Sequence, residues 1–203
     1  FLGACVTVWL VIWKDFTVAD AFRFGSFNII SVLTGTGYAS TDYGQWGAFS
    51  STLFFFVMFI GGCAGSTSCG IKIFRFQVLL KSMRSWIRHT VQPNGVFVAR
   101  YNGRPIPSDV RGSVMSFLMF FMAIFLVLSI LVASTGADLI TAMSAVGSAM
   151  ANVGPGVGDV VGPAGNFSSL TDTAKWLLSF GMLIGRLELF SVLVLFSPAF
   201  WRA

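Results

Sequence analysis

One histidine and three cysteines leave this 203-residue sequence with little for metal or acid–base chemistry. A zinc site takes several Cys, His or carboxylate ligands at suitable spacing, and His89 stands alone in a basic stretch. Cys5, Cys63 and Cys69 are odd in number and lie among apolar or glycine residues, which reads against a disulfide framework. Charge is scarce as well. Only 10% of residues are charged, where a soluble domain carries roughly 25%. The opening stretch Phe1–Trp13 has no basic n-region before it, so it does not read as a secretory signal. As a helix it would measure about 20 Å, short of the roughly 30 Å of hydrocarbon, and it is expected to be the tail of a longer spanning helix.

What the sequence does have is apolar surface. Hydrophobic residues make up 55% of the chain and its mean hydropathy is +0.80. A water-soluble core of this length has no room for that excess, so lipid is the natural solvent. Phenylalanine and glycine each occur 22 times, and glycine in apolar surroundings suits close helix packing and sharp turns. Four stretches are candidates for long membrane helices: Phe1–Trp13, about Trp46–Ile60 continuing to Ile73, Ser113–Ala133, and Trp176–Trp201. Ser113–Ala133 carries no charge over about 32 Å of helix. Trp13, Trp46 and Trp176 mark one boundary and Trp201 the other, where amphipathic rings settle.

Residues 72–111 hold eight of the thirteen basic side chains against one acid, Asp109. By the positive-inside rule this loop is cytoplasmic. Contact with anionic lipid is expected there, while a nucleic-acid role does not suit so apolar a chain. On that topology the C-terminus, with Arg202, is also cytoplasmic. Segments 15–45 and 136–175 begin and end outside, and there lie six of the eight acids: Asp15, Asp20, Asp42, Asp138, Asp159 and Asp172. Such a face would concentrate cations at a pore mouth, or it is a plainly solvated set of acidic loops.

Each outer segment contains an apolar run too short to span, about Ala19–Leu33 and Ala137–Ala151. Each run is followed at once by a glycine-rich turn, T-G-T-G-Y at 34–38 and N-V-G-P-G at 152–156. Ala19-Asp20 opens the first run and Ala137-Asp138 the second, and Met58-Phe-Ile-Gly61 returns downstream as Met182-Leu-Ile-Gly185. The order helix, half-helix, turn, helix is that of a re-entrant pore loop, occurring twice. The alternative is two unrelated hairpins. Irregular backbone at membrane depth survives only when buried in protein or lining water. A half-helix entering from outside brings its carbonyl-rich C-terminus, with about half a negative charge, toward the bilayer centre, which favours a cation. The turn can then aim further carbonyls at a dehydrated ion. Gly35, Gly37, Gly154 and Gly156 allow the backbone angles this needs, and Thr34 and Thr36 add hydroxyl oxygens.

T-G-T-G-Y at 34–38, G-G-C-A-G-S-T-S-C-G-I-K at 61–72, N-V-G-P-G at 152–156 and G-R-L-E-L-F at 185–190 together resemble the Trk/Ktr/HKT superfamily of potassium transporters, on the side of the bacterial TrkH and TrkG membrane subunits. The resemblance covers essentially the whole chain. It implies an all-α membrane protein with four helix–pore-loop–helix repeats arranged pseudo-fourfold around one pore, the last two of which lie here. The expected division is 1–75 for the third repeat, 76–111 for the cytoplasmic basic loop and 112–203 for the fourth repeat. It further implies a homodimer in the bacterial inner membrane, multi-pass, beside a cytoplasmic nucleotide-binding regulatory subunit of the TrkA kind. The ion is cargo bound in the filter, and no organic cofactor is expected. Filter oxygens carry over to Thr34, Gly35, Thr36 and Gly37, and to Asn152, Val153 and Gly154, with potassium at Gly35, Thr36, Asn152 and Val153. Pro155 stands where Tyr38 stands in the other copy, which suggests one strong site and weaker discrimination against larger alkali cations.

The resemblance also makes the stretch around Gly62, Cys63, Ala64, Gly65, Ser66 and Thr67 an intramembrane gating loop. Glycines there weaken a helix by about 1 kcal/mol each relative to Ala. The competing reading is a small-residue helix-packing face; a phosphate loop is rejected because the lysine of G-S-T-S-C-G-I-K is displaced and no strand leads into it. Arg186 and Glu188 are the charges inside the last stretch, about 200° apart on a helix. The resemblance turns Arg186 toward the pore as an electrostatic barrier that bonds loop carbonyls in the closed state; the alternative is a buried structural pair. Lys72 anchors the inner end of the gate or snorkels. The functional expectation is gated potassium uptake driven by the membrane potential, not an enzyme, since no membrane histidine could serve Cys63 or Ser66 as a base. The rival readings are a coupled secondary cation transporter and a structural membrane subunit.

Overall fold

The computed structural model describes residues 2–63, 65–66 and 68–187. Among the described residues are seven α-helices: α1 (Leu2–Trp13), α2 (Val18–Thr34), α3 (Ala48–Val57), α4 (Ile73–Val91), α5 (Ser108–Ser134), α6 (Leu139–Ala151) and α7 (Asp172–Arg186). Two short strands, β1 (Ile60–Gly61) and β2 (Ile71–Lys72), pair in parallel, and β3 (Arg100–Tyr101) pairs antiparallel with β4 (Arg104–Pro105).

Local chemistry fixes the helix starts. Thr17 caps α2, accepting from the Asp20 amide at 3.2 Å while its hydroxyl donates to the Asp20 carboxylate at 2.7 Å. Asp138 itself caps α6, accepting from the Ile140 amide at 3.2 Å. Thr171 caps α7 through the Ala174 amide at 3.3 Å. Each cap satisfies an orphan donor of the first turn. The two aspartates that align in sequence therefore hold different places, Asp20 inside the first turn and Asp138 before it, because α2 is the longer half-helix.

α5, with 27 residues, is the one helix among those described that is long and apolar enough to cross a membrane. It begins at Ser108, earlier than the apolar run suggests. Phe117, Phe121, Phe125, Leu128 and Val132 form its buried stripe, and Met119, Leu126, Val127 and Ile130 stay on the surface. The run over 46–73 is not one helix, and it breaks earlier than the glycine-rich stretch where the resemblance placed the loop. α3 ends at Val57, and the chain turns into β1 before the glycines begin. At Gly61 a Cβ would collide with the Cys69 carbonyl, and Gly70 has φ +81°, so this stretch closes back on itself instead of continuing as a helix. Residues 188–203, with Glu188, Trp201 and Arg202, lie outside the described residues. Trp13 and Trp176 are exposed as boundary rings would be. Trp46 is not: it is buried against Phe16, Tyr43 and Phe54.

Two clusters make the core. One joins α1, α2 and α3 through residues such as Val6, Leu10, Ile29, Phe54 and Val57, and it also takes in Ala151, Val153 and Val157. The other surrounds α6 with Phe121, Phe125, Leu128, Leu178 and Ile184. Edge-to-face contacts of Phe59 with Phe121 at 6.1 Å and Phe125 at 5.4 Å join them. α6 is almost wholly buried and is built mainly of Ala, Ser and Gly, so neighbouring backbones approach closely. At Gly185 of α7 an added Cβ would run into the Met150 carbonyl, whereas at Gly112 of α5 nothing lies within 4 Å. Gly185→Ala is expected to lower the thermal unfolding midpoint in detergent, at a cost of about 1–3 kcal/mol. Gly112→Ala should leave it unchanged or raise it, by up to about 1 kcal/mol of helix propensity. Equal midpoints for the two variants would contradict this packing.

Candidate functional site

The two half-helices end in the same way. After α2, Gly35 takes a left-handed conformation at φ +68°, with its amide on the Val32 carbonyl at 3.1 Å and the Thr36 amide on the Ser31 carbonyl at 2.9 Å. After α6, Asn152 takes it at φ +52°, with its amide on the Ala149 carbonyl and the Val153 amide on the Ser148 carbonyl, both at 3.1 Å. Both are Schellman endings, and Asn is the side chain that stands in for Gly there at least cost. Gly37 at φ +77° and Gly154 at φ +109° then redirect the chain.

The turns meet. A Cβ at Gly37 would overlap the Val153 carbonyl oxygen and come within 3.2 Å of Pro155, and one at Gly35 would stand 3.7 Å from the Asn152 carbonyl. The structure thus brings Gly35 and Gly37 against Asn152 and Val153. The Thr34 hydroxyl donates to the Ile30 carbonyl at 2.8 Å and lies 2.7 Å from the Thr36 hydroxyl. The Asn152 amide group donates to the Met182 carbonyl at 3.1 Å, tying the second turn to α7.

Behind each turn stand polar side chains that the sequence reading passed over. The Ser31 hydroxyl donates to the Tyr38 carbonyl at 2.6 Å, and the Ser148 hydroxyl to the Gly154 carbonyl at 2.7 Å. Asn28 accepts from the Ser40 amide at 3.0 Å and donates to the Ser40 and Thr41 hydroxyls at 3.1 and 3.3 Å. The Ser144 hydroxyl accepts from the Val157 amide. All four side chains are buried. Their signal in the sequence is a polar residue recurring three or four positions apart on the inward face of an otherwise apolar run. Tyr43 bridges the copies, donating to the Gly156 carbonyl at 3.4 Å and stacking on Phe54 at 4.2 Å. Burial first, and then the Asp42 charge, push its phenol well above the usual range, so it is a neutral donor at physiological pH.

Four of the outer acids have local duties. Asp20 and Asp138 serve helix starts, Asp42 accepts from the Gly44 amide at 3.0 Å, and Asp172 accepts from the Lys175 ammonium at 3.2 Å. Among the described residues no three His, Cys, Asp or Glu side chains gather as a metal site.

The 61–72 stretch is a closed loop and not a helix-packing face. The Ile71 amide bonds the Phe59 carbonyl at 2.8 Å and the Ile73 amide the Gly62 carbonyl at 3.2 Å. The Gly62 amide donates to the Ser68 hydroxyl at 2.7 Å, and the Ser68 amide to Ser66 at 3.2 Å. Ser66 also returns its amide to the Cys63 carbonyl at 2.9 Å. Gly65 lies in the loop, while Ala64 and Thr67 lie outside the described residues. Arg186 reaches this loop, donating from Nη1 to the Cys69 sulfur at 3.5 Å. Beside this contact lies a cavity of about 240 Å³, lined by Ser66, Ser68, Lys72, Arg75 and Arg186 among others. Arg75 sits over the Phe117 ring at 3.6 Å, a cation–π contact.

Residues 6–203 match the TrkH family, described as cation transport protein. TrkI of Halomonas elongata, a Trk system potassium uptake protein, is 48% identical over 95% of this chain and 40% of its own length. TrkH of Escherichia coli, also so named, is 37% identical over 92% of this chain and 37% of its length. The crystal structure of the potassium transporter TrkH from Vibrio parahaemolyticus superposes with a TM-score of 0.90 at 34% identity, covering 98% of this chain and 42% of that one. The chain thus spans about two-fifths of the length of these relatives. By the family match along nearly its whole length and by its fold, the chain belongs to the TrkH family of cation transport proteins.

Proposed function

We propose that this chain supplies the last two helix–pore-loop–helix repeats of a bacterial potassium-uptake pore, with the first two supplied by sequence that the relatives carry and this chain does not contain. The observation that carries the reading is the pair of matching left-handed turns facing each other at the ends of α2 and α6. Each half-helix directs its carbonyl end to the meeting point, where a cation gains from the helix dipole and from turn carbonyls. The carbonyls of Gly35, Thr36 and Gly37, with those of Asn152, Val153 and Gly154, are the proposed filter oxygens. The Pro155-for-Tyr38 difference goes with one strong site. Repeats run over 1–75 and 112–203, with 76–111 facing the cytoplasm in the inner membrane. Potassium is the cargo, and the membrane potential supplies about 2.3 kcal/mol per charge for each 100 mV. The names of the relatives support potassium as the ion. A second copy and a TrkA-like nucleotide-binding subunit complete the proposed assembly.

The 61–72 loop is the proposed gate, with Arg186 as its electrostatic barrier. The Arg186–Cys69 contact, with the cavity beside it where the loop meets α7, supports this role.

Rubidium-86 uptake into liposomes containing the full-length protein tests the pore. Uptake is expected to fall more with competing potassium than with sodium. Gly37→Ser places a side chain against the Val153 carbonyl at a positive φ and is expected to lower the preference at least tenfold. Absence of cation flux from well-folded wild-type protein would overturn the reading. For the gate, Arg186→Gln is expected to raise resting leak severalfold in the same liposomes. Unchanged leak with normal folding would remove Arg186 as a barrier.

A further inference from the structure

The two turns match up to their glycines and then part by one residue. Ser31 and Ser148 occupy the same place in their half-helices, four residues before the left-handed Gly35 and Asn152. Both are buried, at 5% and 1% exposure, and both donate a hydroxyl hydrogen to a carbonyl of the turn that follows. They take different carbonyls. Ser31 takes Tyr38, the residue after Gly37, whereas Ser148 takes Gly154 itself. A carbonyl that accepts a short hydrogen bond from its own half-helix is held by that bond and has one of its two lone pairs engaged, so it offers less to an ion.

We infer that Ser31 and Ser148 are positioning residues that decide which carbonyls each turn offers to the ion: Gly35, Thr36 and Gly37 from the first, but only Asn152 and Val153 from the second. This rests on the pore reading above and refines it, because it withdraws the Gly154 carbonyl from the filter. The second tie in each copy keeps the geometry from relaxing. Asn28 holds the Ser40 amide and Ser144 holds the Val157 amide, equivalent points on the outgoing chain. Each turn is thus fixed at the carbonyl it gives up and again two or three residues later. An ion beside the two turns meets an uneven set of carbonyls, three from one turn and two from the other. Removing the Ser148 hydroxyl leaves the Gly154 carbonyl without that donor and lets it swing toward the ion. Removing the Ser31 hydroxyl does the same for Tyr38.

The test uses the full-length protein in liposomes, with rubidium-86 uptake competed by potassium, sodium and caesium. Ser148→Ala and Ser31→Ala are each expected to change the potassium-to-sodium competition ratio about fivefold or more, with Ser148→Thr and Ser31→Thr restoring it. A merely structural role would lower total uptake in step with the amount of folded protein and leave the ratio alone; that result overturns the inference. Wild-type protein without potassium-preferring uptake would instead sink the pore reading on which it rests. A second measurement needs no variant. In solid-state NMR of the wild-type protein in lipid, carbonyl-13C signals of Asn152 and Val153 are expected to shift when sodium is exchanged for potassium, while that of Gly154 stays put. A Gly154 shift as large as that of Val153 would refute the withdrawal of this carbonyl, even if the alanine variants fail to fold.

Discussion

A helix that stops among apolar neighbours leaves its last carbonyls without partners, and α2 and α6 both stop this way. The cost of burying an unpaired polar group is several times the net gain of an ordinary hydrogen bond. Part of the debt is met by the Schellman bonds to Ser31, Val32, Ser148 and Ala149. The remaining carbonyls belong to the turns, where on the proposed function a cation is their partner. Most of what is distinctive in the fold serves that arrangement: left-handed residues at matching places, small residues along α6, and a glycine wherever one backbone must touch another.

The contact between Gly37 and the Val153 carbonyl illustrates the constraint. Neither turn is shaped by its own half-helix alone, since each fills space the other would need. The Tyr43 bond to Gly156 and the burial of Val153 and Val157 in the first cluster make the same point from the protein side. The two halves of the chain therefore share one core at the level of the turns, though each half-helix has its own surrounding helices. A substitution in one turn is felt in the other, and neither turn can be assigned a role in isolation.

The parts legible in the sequence were those written in backbone requirements. Glycine clusters after short apolar runs gave α2 and α6 within a residue or two, and the turns that follow them meet at Gly35, Gly37, Asn152 and Val153. The end of α3 was hidden because Met58, Phe59 and Ile60 continue the apolar pattern past the last helical residue; the break comes from pairing with Ile71, a partner far along the chain. α4 was hidden because its apolar positions alternate with Lys81, Arg84 and Arg88, so the stretch read as a charged loop. Trp46 looked like a boundary ring, but Phe16, Tyr43 and Phe54 enclose it. The buttressing of Asn28, Ser31, Ser144 and Ser148 left only the faintest trace, since a serine in an apolar run reads as a small filler until its acceptor six or seven residues later is known.

The contrast between turns and loop bears on how such a protein would combine a fixed filter with a moving gate. The turns are held by buried side chains from rigid helices on one side and by another turn on the other. The 61–72 loop is held chiefly by its own backbone, through a two-residue parallel ladder and serine hydroxyls only a few residues away. Bonds that are local and partly exposed open at lower free energy than those in a packed core. On the proposed function the loop is the part that rearranges between the end of α3 and the start of α4, whereas moving a turn would disturb both clusters at once. On the proposed function this divides the labour: selectivity rests on the elements the fold holds most firmly, and gating on the element it holds least, with Arg186 reaching across from α7 to touch it at Cys69.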